Sequence, residues 1–114
     1  MEFTTIEIEK AAGILKLLGD KTRLSMLKML EAHDYCVCEF VEIFQVSQPA
    51  ISQHIKKLKD AGLVRETRKS QWIIYSLNRE SDILPFLQSM IEHLPNQDFK
   101  LQELEKQGLR ISCD

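Results

Sequence analysis

The sequence lacks any apolar run that approaches the roughly 20 residues of a membrane-spanning helix. Its first residues also lack the basic and apolar segments of a secretion signal, so we expect a cytoplasmic protein with no membrane partner. Cysteine is scarce, with three residues in 114. In the cytoplasm these cysteines are expected to remain thiols and not to build a disulfide framework. The chain has no internal repeat, low-complexity segment or linker, and its length suits one domain spanning residues 1–114.

An overall positive charge is also absent, because the net charge at neutral pH is −2. The charges are nevertheless unevenly distributed. Between residues 47 and 79, seven Lys or Arg residues oppose two acidic residues, a net +5 that leaves −7 for the remainder. Such a concentration is what a nucleic-acid contact requires, although a solvated surface would have the same charge.

Apolar spacing and capping residues predict six helices and two strands. The helices are predicted over residues 6–18, 21–30, a short stretch after Tyr35 and Cys36, 47–61, 98–107 and a segment from 81 or 82 to 94. Strands are predicted over 63–68 and 72–77, with Ile73, Tyr75 and Leu77 facing the core, and the tail from about 109 is expected to be flexible. The predicted fold is therefore mainly α with a small β-hairpin.

The fourth predicted helix has a polar and basic face opposite an apolar one. At about 100° per residue, Ile51, Ile55 and Leu58 share the apolar face. Gln can pair bidentately with adenine, whereas Lys contacts phosphates. A short helix, a tight turn and this longer helix, followed by a basic hairpin, favour a winged helix-turn-helix over an ordinary amphipathic helix and hairpin. The candidate DNA-contacting residues are Ser47, Gln48, Pro49, Ser52, Gln53, Lys56, Lys57, Arg68, Lys69 and Gln71.

Two cysteines, Cys36 and Cys38, are separated by one residue at the start of the third predicted helix. Neighbouring thiolates can chelate one soft ion, and binding displaces their protons. Buried cysteines can equally act as small hydrophobic residues. Cys113 in the tail is either a third ligand or an incidental terminal thiol. A soft-ion site beside a DNA-reading helix is typical of a ligand-responsive regulator and not of an enzyme.

Together these features resemble the ArsR/SmtB family of metal- and metalloid-responsive winged-helix repressors, and within it the arsenical repressors of the AseR type. The resemblance implies a homodimer with the first and fifth helices at its interface. It also implies release from double-stranded operator DNA when As(III) or Sb(III), or another soft metal ion, binds. The segments that carry the resemblance are 18–24, 35–39, 47–59, 61–64 and 69–72.

Two regions depart from the pattern of that family. Val41 stands where many arsenical sensors have a third cysteine, so a three-sulfur site would need Cys113. On the fifth helix, Asp82 matches the family's zinc site, but Leu84 and Pro95 stand where histidine is expected. A zinc sensor of that kind is therefore not predicted.

Alternative functions stay open at this point. A cadmium- or lead-responsive repressor, or a dithiol redox-responsive repressor, would share the fold. A thiol oxidoreductase is a more remote alternative, because catalytic dithiols more commonly occur as Cys-X-X-Cys near a βαβ unit, and a partner-binding module is another. The apolar residues Ile14, Leu18, Leu87 and Ile91 exceed what a small DNA reader needs, which predicts that part of them is buried against a second copy.

Overall fold

Six helices and three short strands make up residues 5–106, the part of the chain that the computed structural model describes, apart from the side chain of Leu101. The predicted mainly α class with a small β-hairpin is confirmed. Within this range no helix combines the length and the apolar character needed to cross a membrane. The elements are α1 (Ile8–Leu18), α2 (Lys21–Ala32), β1 (Tyr35–Cys36), α3 (Val37–Phe44), α4 (Gln48–Asp60), β2 (Val64–Lys69), β3 (Trp72–Leu77), α5 (Leu84–His93) and α6 (Asp98–Lys106).

Local capping rules explain where α2 begins. The carboxylate of Asp20 accepts a hydrogen bond from the backbone N–H of Arg23 at 3.0 Å, as expected for an N-cap residue. This hydrogen bond is the main reason why the pKa of Asp20 is lowered from its ordinary value. The preceding helix, α1, starts two residues later than predicted, at Ile8, and its N-cap Glu7 makes no side-chain capping bond.

The ends of α4 follow two further local signals. The hydroxyl of Ser47 accepts a hydrogen bond from the Ala50 N–H at 3.3 Å, and Pro49 lies in the first turn, where a missing N–H costs little. At the other end Gly62 has a φ of 80°, a left-handed conformation that glycine adopts without a Cβ clash. The predicted N-cap and stop of this helix are therefore confirmed. A short turn around Gln45, which is itself left-handed, joins α3 to α4.

The strands form one antiparallel sheet in the order β1-β3-β2. The hairpin pairs Val64 with Leu77 through to Lys69 with Trp72, close to the predicted strands. The strand β1 was not predicted, because two residues are too few for an alternating pattern. It pairs Cys36 with Ile74, which makes β3 the central strand. Ile74 is consequently buried, so the prediction that the alternate positions of this strand are more exposed is wrong at Ile74, whereas Ile73 packs against the core as predicted.

The core joins all of the first five helices to one face of the sheet. Ile14, Leu18, Leu87 and Ile91 lie inside it and are at most 6% exposed. The prediction that part of these apolar residues is buried against a second copy is therefore wrong for these four. Among the described side chains of α1, α5 and α6, the large apolar ones left exposed are Ile8, Leu15, Phe86 and Phe99.

Helix α5 starts later than predicted, at Leu84. A turn over Ser81 to Ile83 precedes it, in which the Ser81 hydroxyl accepts a hydrogen bond from the Ile83 N–H at 3.2 Å. Helix α6 has nearly the predicted bounds and packs on α3. The predicted stop at Gly108 and the predicted flexible tail from 109 lie outside the described residues.

Candidate nucleic-acid interface and thiol site

The outward face of α4 consists of polar and basic side chains. Ile51, Ile55 and Leu58 are at most 2% exposed, so the helical geometry expected from the sequence fixes which side faces the core. The predicted contact residues of this helix and its cap are all exposed, namely Ser47, Gln48, Pro49, Ser52, Gln53, Lys56 and Lys57. The structure thus brings amide, hydroxyl and ammonium groups together on one surface.

The hairpin adds cations next to that surface. Arg68, Lys69 and Gln71 are exposed at its tip. Arg68 pairs with Ile73 and Lys69 pairs with Trp72. Because neighbouring residues of a strand point to opposite sides of a sheet, the two cations lie on opposite faces of the tip. A polyanion could therefore approach the hairpin edge-on and meet positive charge on both sides.

Some charges of the basic segment are engaged in ion pairs. Lys56 contacts Asp60 at 2.9 Å, Lys59 contacts Glu66 at 3.0 Å and Arg65 contacts Glu80 at 2.7 Å. All three pairs are solvent-exposed, where such pairs contribute little and are easily exchanged for another anion. Within residues 5–106, Lys57, Arg68 and Lys69 form no ion pair, and they are the cations most directly available to phosphate.

An arginine that sequence reasoning missed links α4 to the first two helices. The Arg23 side chain donates from Nε to the Leu17 carbonyl at 2.7 Å, and its Nη1 lies 3.0 Å from Nδ1 of His54. Since the guanidinium can only donate, His54 accepts with Nδ1. His54 thus helps to fix α4 to the corner between α1 and α2. The two residues are 31 positions apart, so no local sequence signal could have revealed the contact.

The two cysteines lie at the N-terminus of α3. Cys36 is the N-cap residue and only 1% exposed, whereas Cys38, within the first turn, is half-buried. Cys36 forms a reciprocal capping box with Glu39. Its N–H donates to Oε1 of Glu39 at 2.8 Å, and its sulfur accepts the backbone N–H of Glu39. In the sequence, a glutamate three positions after an N-cap residue is the signal that could have indicated this capping role of Glu39.

Cys36 also belongs to the sheet that carries the hairpin. It pairs with Ile74 of β3, and Ile74 in turn pairs with Thr67 of β2. Cross-strand partners lie on the same face of a sheet. The Cys36 side chain therefore sits on the face of Ile74, opposite the face through which Tyr35 and Tyr75 reach the core.

The third proposed sulfur, that of Cys113, lies outside the described residues. Within residues 5–106 there is no group of three or more His, Cys, Asp or Glu residues placed to hold a metal ion. The described part of the site therefore offers two sulfur donors, which suits a soft ion that needs few ligands or takes a further one from elsewhere.

Helix α6 covers the side of α3 that leads to the turn before α4. Lys100 lies 5.2 Å above the ring of Phe44, and burial, followed by the nearby charge of Lys21, lowers its pKa. At the start of α6, Asp98 lies 3.2 Å from Nε2 of His33. This contact joins the end of α2 to the start of α6.

Comparison with known proteins agrees with this architecture. The family described as "Bacterial regulatory protein, arsR family" matches residues 20–66, which span α2 to β2. An uncharacterized HTH-type transcriptional regulator of Methanocaldococcus jannaschii is 44% identical over 68 residues, which are 59% of this chain and 76% of that protein.

Two further similarities bear on the family. An arsenical resistance operon repressor of Staphylococcus xylosus is 42% identical over 72 residues, which are 63% of this chain and 69% of that protein. The structure of reduced HlyU from Vibrio cholerae superposes with a TM-score of 0.63 at 32% identity, covering 74% of this chain and 83% of that one.

Proposed function

The chain belongs to the ArsR family of DNA-binding transcriptional repressors, and we propose that it is released from its operator when Cys36 and Cys38 bind trivalent arsenic or antimony. The family is a class of transcriptional regulators and not of enzymes. The name of the staphylococcal relative, an arsenical resistance operon repressor, supports arsenic as the inducing element. Thiolates are the donors that soft ions prefer, and these two lie one residue apart.

One observation carries this proposal. The thiols lie at the N-terminus of the helix that immediately precedes the reading helix, and one of them is itself the N-cap residue. Residues 45–47 alone separate α3 from α4. Cys36 is also paired with β3, which is the central strand of the sheet and one of the two strands of the hairpin. A displacement of Cys36 would thus be transmitted to both candidate DNA-contacting elements, α4 and the hairpin of β2 and β3.

The residues of the DNA interface divide by chemistry into two groups. Gln53 and Ser52 can read base edges, whereas Lys57, Arg68 and Lys69 can hold phosphates. We expect replacement of Gln53 by Ala to weaken binding to the operator by roughly 1–3 kcal/mol, with little effect on random DNA. Operator affinity measured with a site selected from a random duplex library, against a scrambled duplex, tests this expectation.

Lys57 provides the matched phosphate-contact variant. Its replacement by Ala should weaken binding to both duplexes by a similar factor and reduce the slope of log affinity against log salt by about 1. Titrations at several salt concentrations supply the slope. Equal affinity of the wild-type protein for all duplexes would contradict a sequence-specific repressor.

We also propose that the protein binds DNA as a homodimer through α1 and α5. Ile8 and Leu15, seven positions apart on one face of α1, are 86% and 53% exposed, and Phe86 on α5 is 44% exposed. Large apolar side chains in such numbers support burial against a second copy. A symmetric dimer would select an inverted repeat. Sedimentation should give a dimer at micromolar concentration, and an intact DNA complex containing one protomer would refute the proposal.

A dithiol redox response is the second candidate function, favoured by two cysteines that are separated by one residue. A panel of ligands separates the candidates. Operator binding is measured with arsenite, antimonite, cadmium, lead and hydrogen peroxide. Release by arsenite and antimonite at lower concentration than by the others supports the metalloid sensor, release by peroxide alone supports the redox sensor, and no release by any of them overturns both.

A further inference from the structure

Glu39 is a charged side chain that the fold buries beside the two thiols, with 1% of its surface exposed. We propose that Glu39 is a positioning residue that holds the DNA-binding conformation by closing the start of α3 onto Cys36. On this inference, which rests on the proposed function, ligand binding by Cys36 requires that closure to open.

The closure consists of two reciprocal hydrogen bonds. Glu39 accepts the N–H of Cys36 with its carboxylate at 2.8 Å, and Cys36 accepts the N–H of Glu39 with its sulfur. The first amides of a helix have no carbonyl partner within the helix, so this box supplies partners that the helix cannot. Opening it leaves polar groups at a nearly fully buried position, which favours the closed form in the absence of ligand.

The Cys36 sulfur cannot accept the Glu39 N–H and bind an external ligand at the same time. Cys36 is 1% exposed and its sulfur is engaged by the Glu39 amide, so an external ligand reaches it only when the start of α3 moves. The backbone of Cys36 is held from the other side by its pairing with Ile74. The movement that frees the sulfur therefore falls mainly on α3, and through residues 45–47 it reaches the reading helix.

Because the closed and open states exclude each other, the affinities for DNA and for the thiol ligand are linked. DNA binds the closed state and the thiol ligand binds the open state, so a substitution that weakens the closure must shift the two affinities in opposite directions. A residue that merely stabilised the fold would not tighten ligand binding when removed. The direction of the arsenite affinity change thus distinguishes positioning from general stability.

The experiment compares Glu39→Ala, Glu39→Gln and the matched control Glu42→Ala, which removes an exposed carboxylate from the same helix. Operator affinity is measured without arsenite, and arsenite affinity is measured without DNA. Glu39→Ala should tighten arsenite binding and weaken operator binding, the two factors multiplying to roughly two- to thirtyfold, as expected for loss of a helix cap. Glu39→Gln keeps an acceptor for the Cys36 N–H without the charge, so it should resemble wild type, as should the control.

Two results would overturn the inference. One is a Glu39→Ala protein whose arsenite affinity is unchanged or weaker. The other is a Glu39→Gln protein that behaves like Glu39→Ala, because this would assign the effect to charge and not to the capping bond. If arsenite releases the wild-type protein but either result is found, only the role of Glu39 is refuted. If arsenite does not release the wild type, the proposed function fails and this inference with it.

Amide hydrogen exchange of the wild-type protein provides a test that needs no variant to fold. Saturation with arsenite should lower the protection of the Cys36 and Glu39 amides by roughly tenfold or more, whereas the Arg23 amide at the cap of α2 serves as the internal reference. Unchanged protection of both amides in the arsenite-bound protein would show that the box stays closed, and would overturn the inference.

Discussion

Replacing either Cys36 or Cys38 by Ser is expected to leave operator affinity within a few-fold of wild type and to abolish release by arsenite. Serine is a good N-cap residue, so at position 36 its hydroxyl can accept the Glu39 N–H in place of the sulfur. The hydroxyl does not supply a soft donor, however. A coupling of about 1–3 kcal/mol, or roughly 5- to 150-fold in operator affinity, should therefore disappear. Operator titrations with and without arsenite measure it.

Cys113→Ser is the informative companion variant. If the site has three sulfurs, this variant should bind arsenite more weakly, whereas a two-sulfur site should be indifferent to it. Release of DNA from the Cys36→Ser and Cys38→Ser proteins at the wild-type arsenite concentration would place the sensing site elsewhere in the chain.

Replacing Phe40 by Ala is expected to lower the free energy of unfolding by about 3–5 kcal/mol, the range for removing a buried aromatic side chain. Phe40 is fully buried, and its ring stacks on that of Tyr35 at a centroid distance of 4.9 Å. Because Tyr35 belongs to β1 and Phe40 to α3, the pair fixes the helix to the sheet on both sides of Cys36. Such a loss is a large part of the total stability of a small domain. Urea denaturation measures the effect.

Phe99→Ala is the matched control for this substitution. Phe99 is 60% exposed on α6, and its replacement should cost less than about 1 kcal/mol. Similar losses for the two variants would mean that the stacked pair does not anchor α3, and that the proposed mechanical link between Cys36 and the reading helix lacks its support.

Local rules predict most of the helices because their determinants lie within a few residues of each other. Asp20, Ser47 and Gly62 mark helix ends through bonds or backbone angles that involve neighbours three to five positions away. The exposed face of α4 follows from helical periodicity alone, so the sequence is enough to place the candidate DNA-contacting residues of this helix on one surface.

Features that depend on distant partners could not be predicted in this way. The strand β1 exists because Tyr35 and Cys36 pair with residues nearly forty positions later. The contact between Arg23 and His54 joins residues 31 positions apart, and neither has a sequence pattern of its own. The burial of Glu39 is an intermediate case, since the spacing to Cys36 is that of a capping box but cysteine is an unusual residue in it.

The most direct test of the proposed function is an arsenite titration of the preformed complex between the wild-type protein and a selected operator duplex, followed by fluorescence anisotropy at constant salt. Release to free DNA, with operator affinity falling by roughly 5- to 150-fold at saturating arsenite, is the predicted result. An operator affinity that stays constant while arsenite is shown to bind Cys36 and Cys38 would contradict the account.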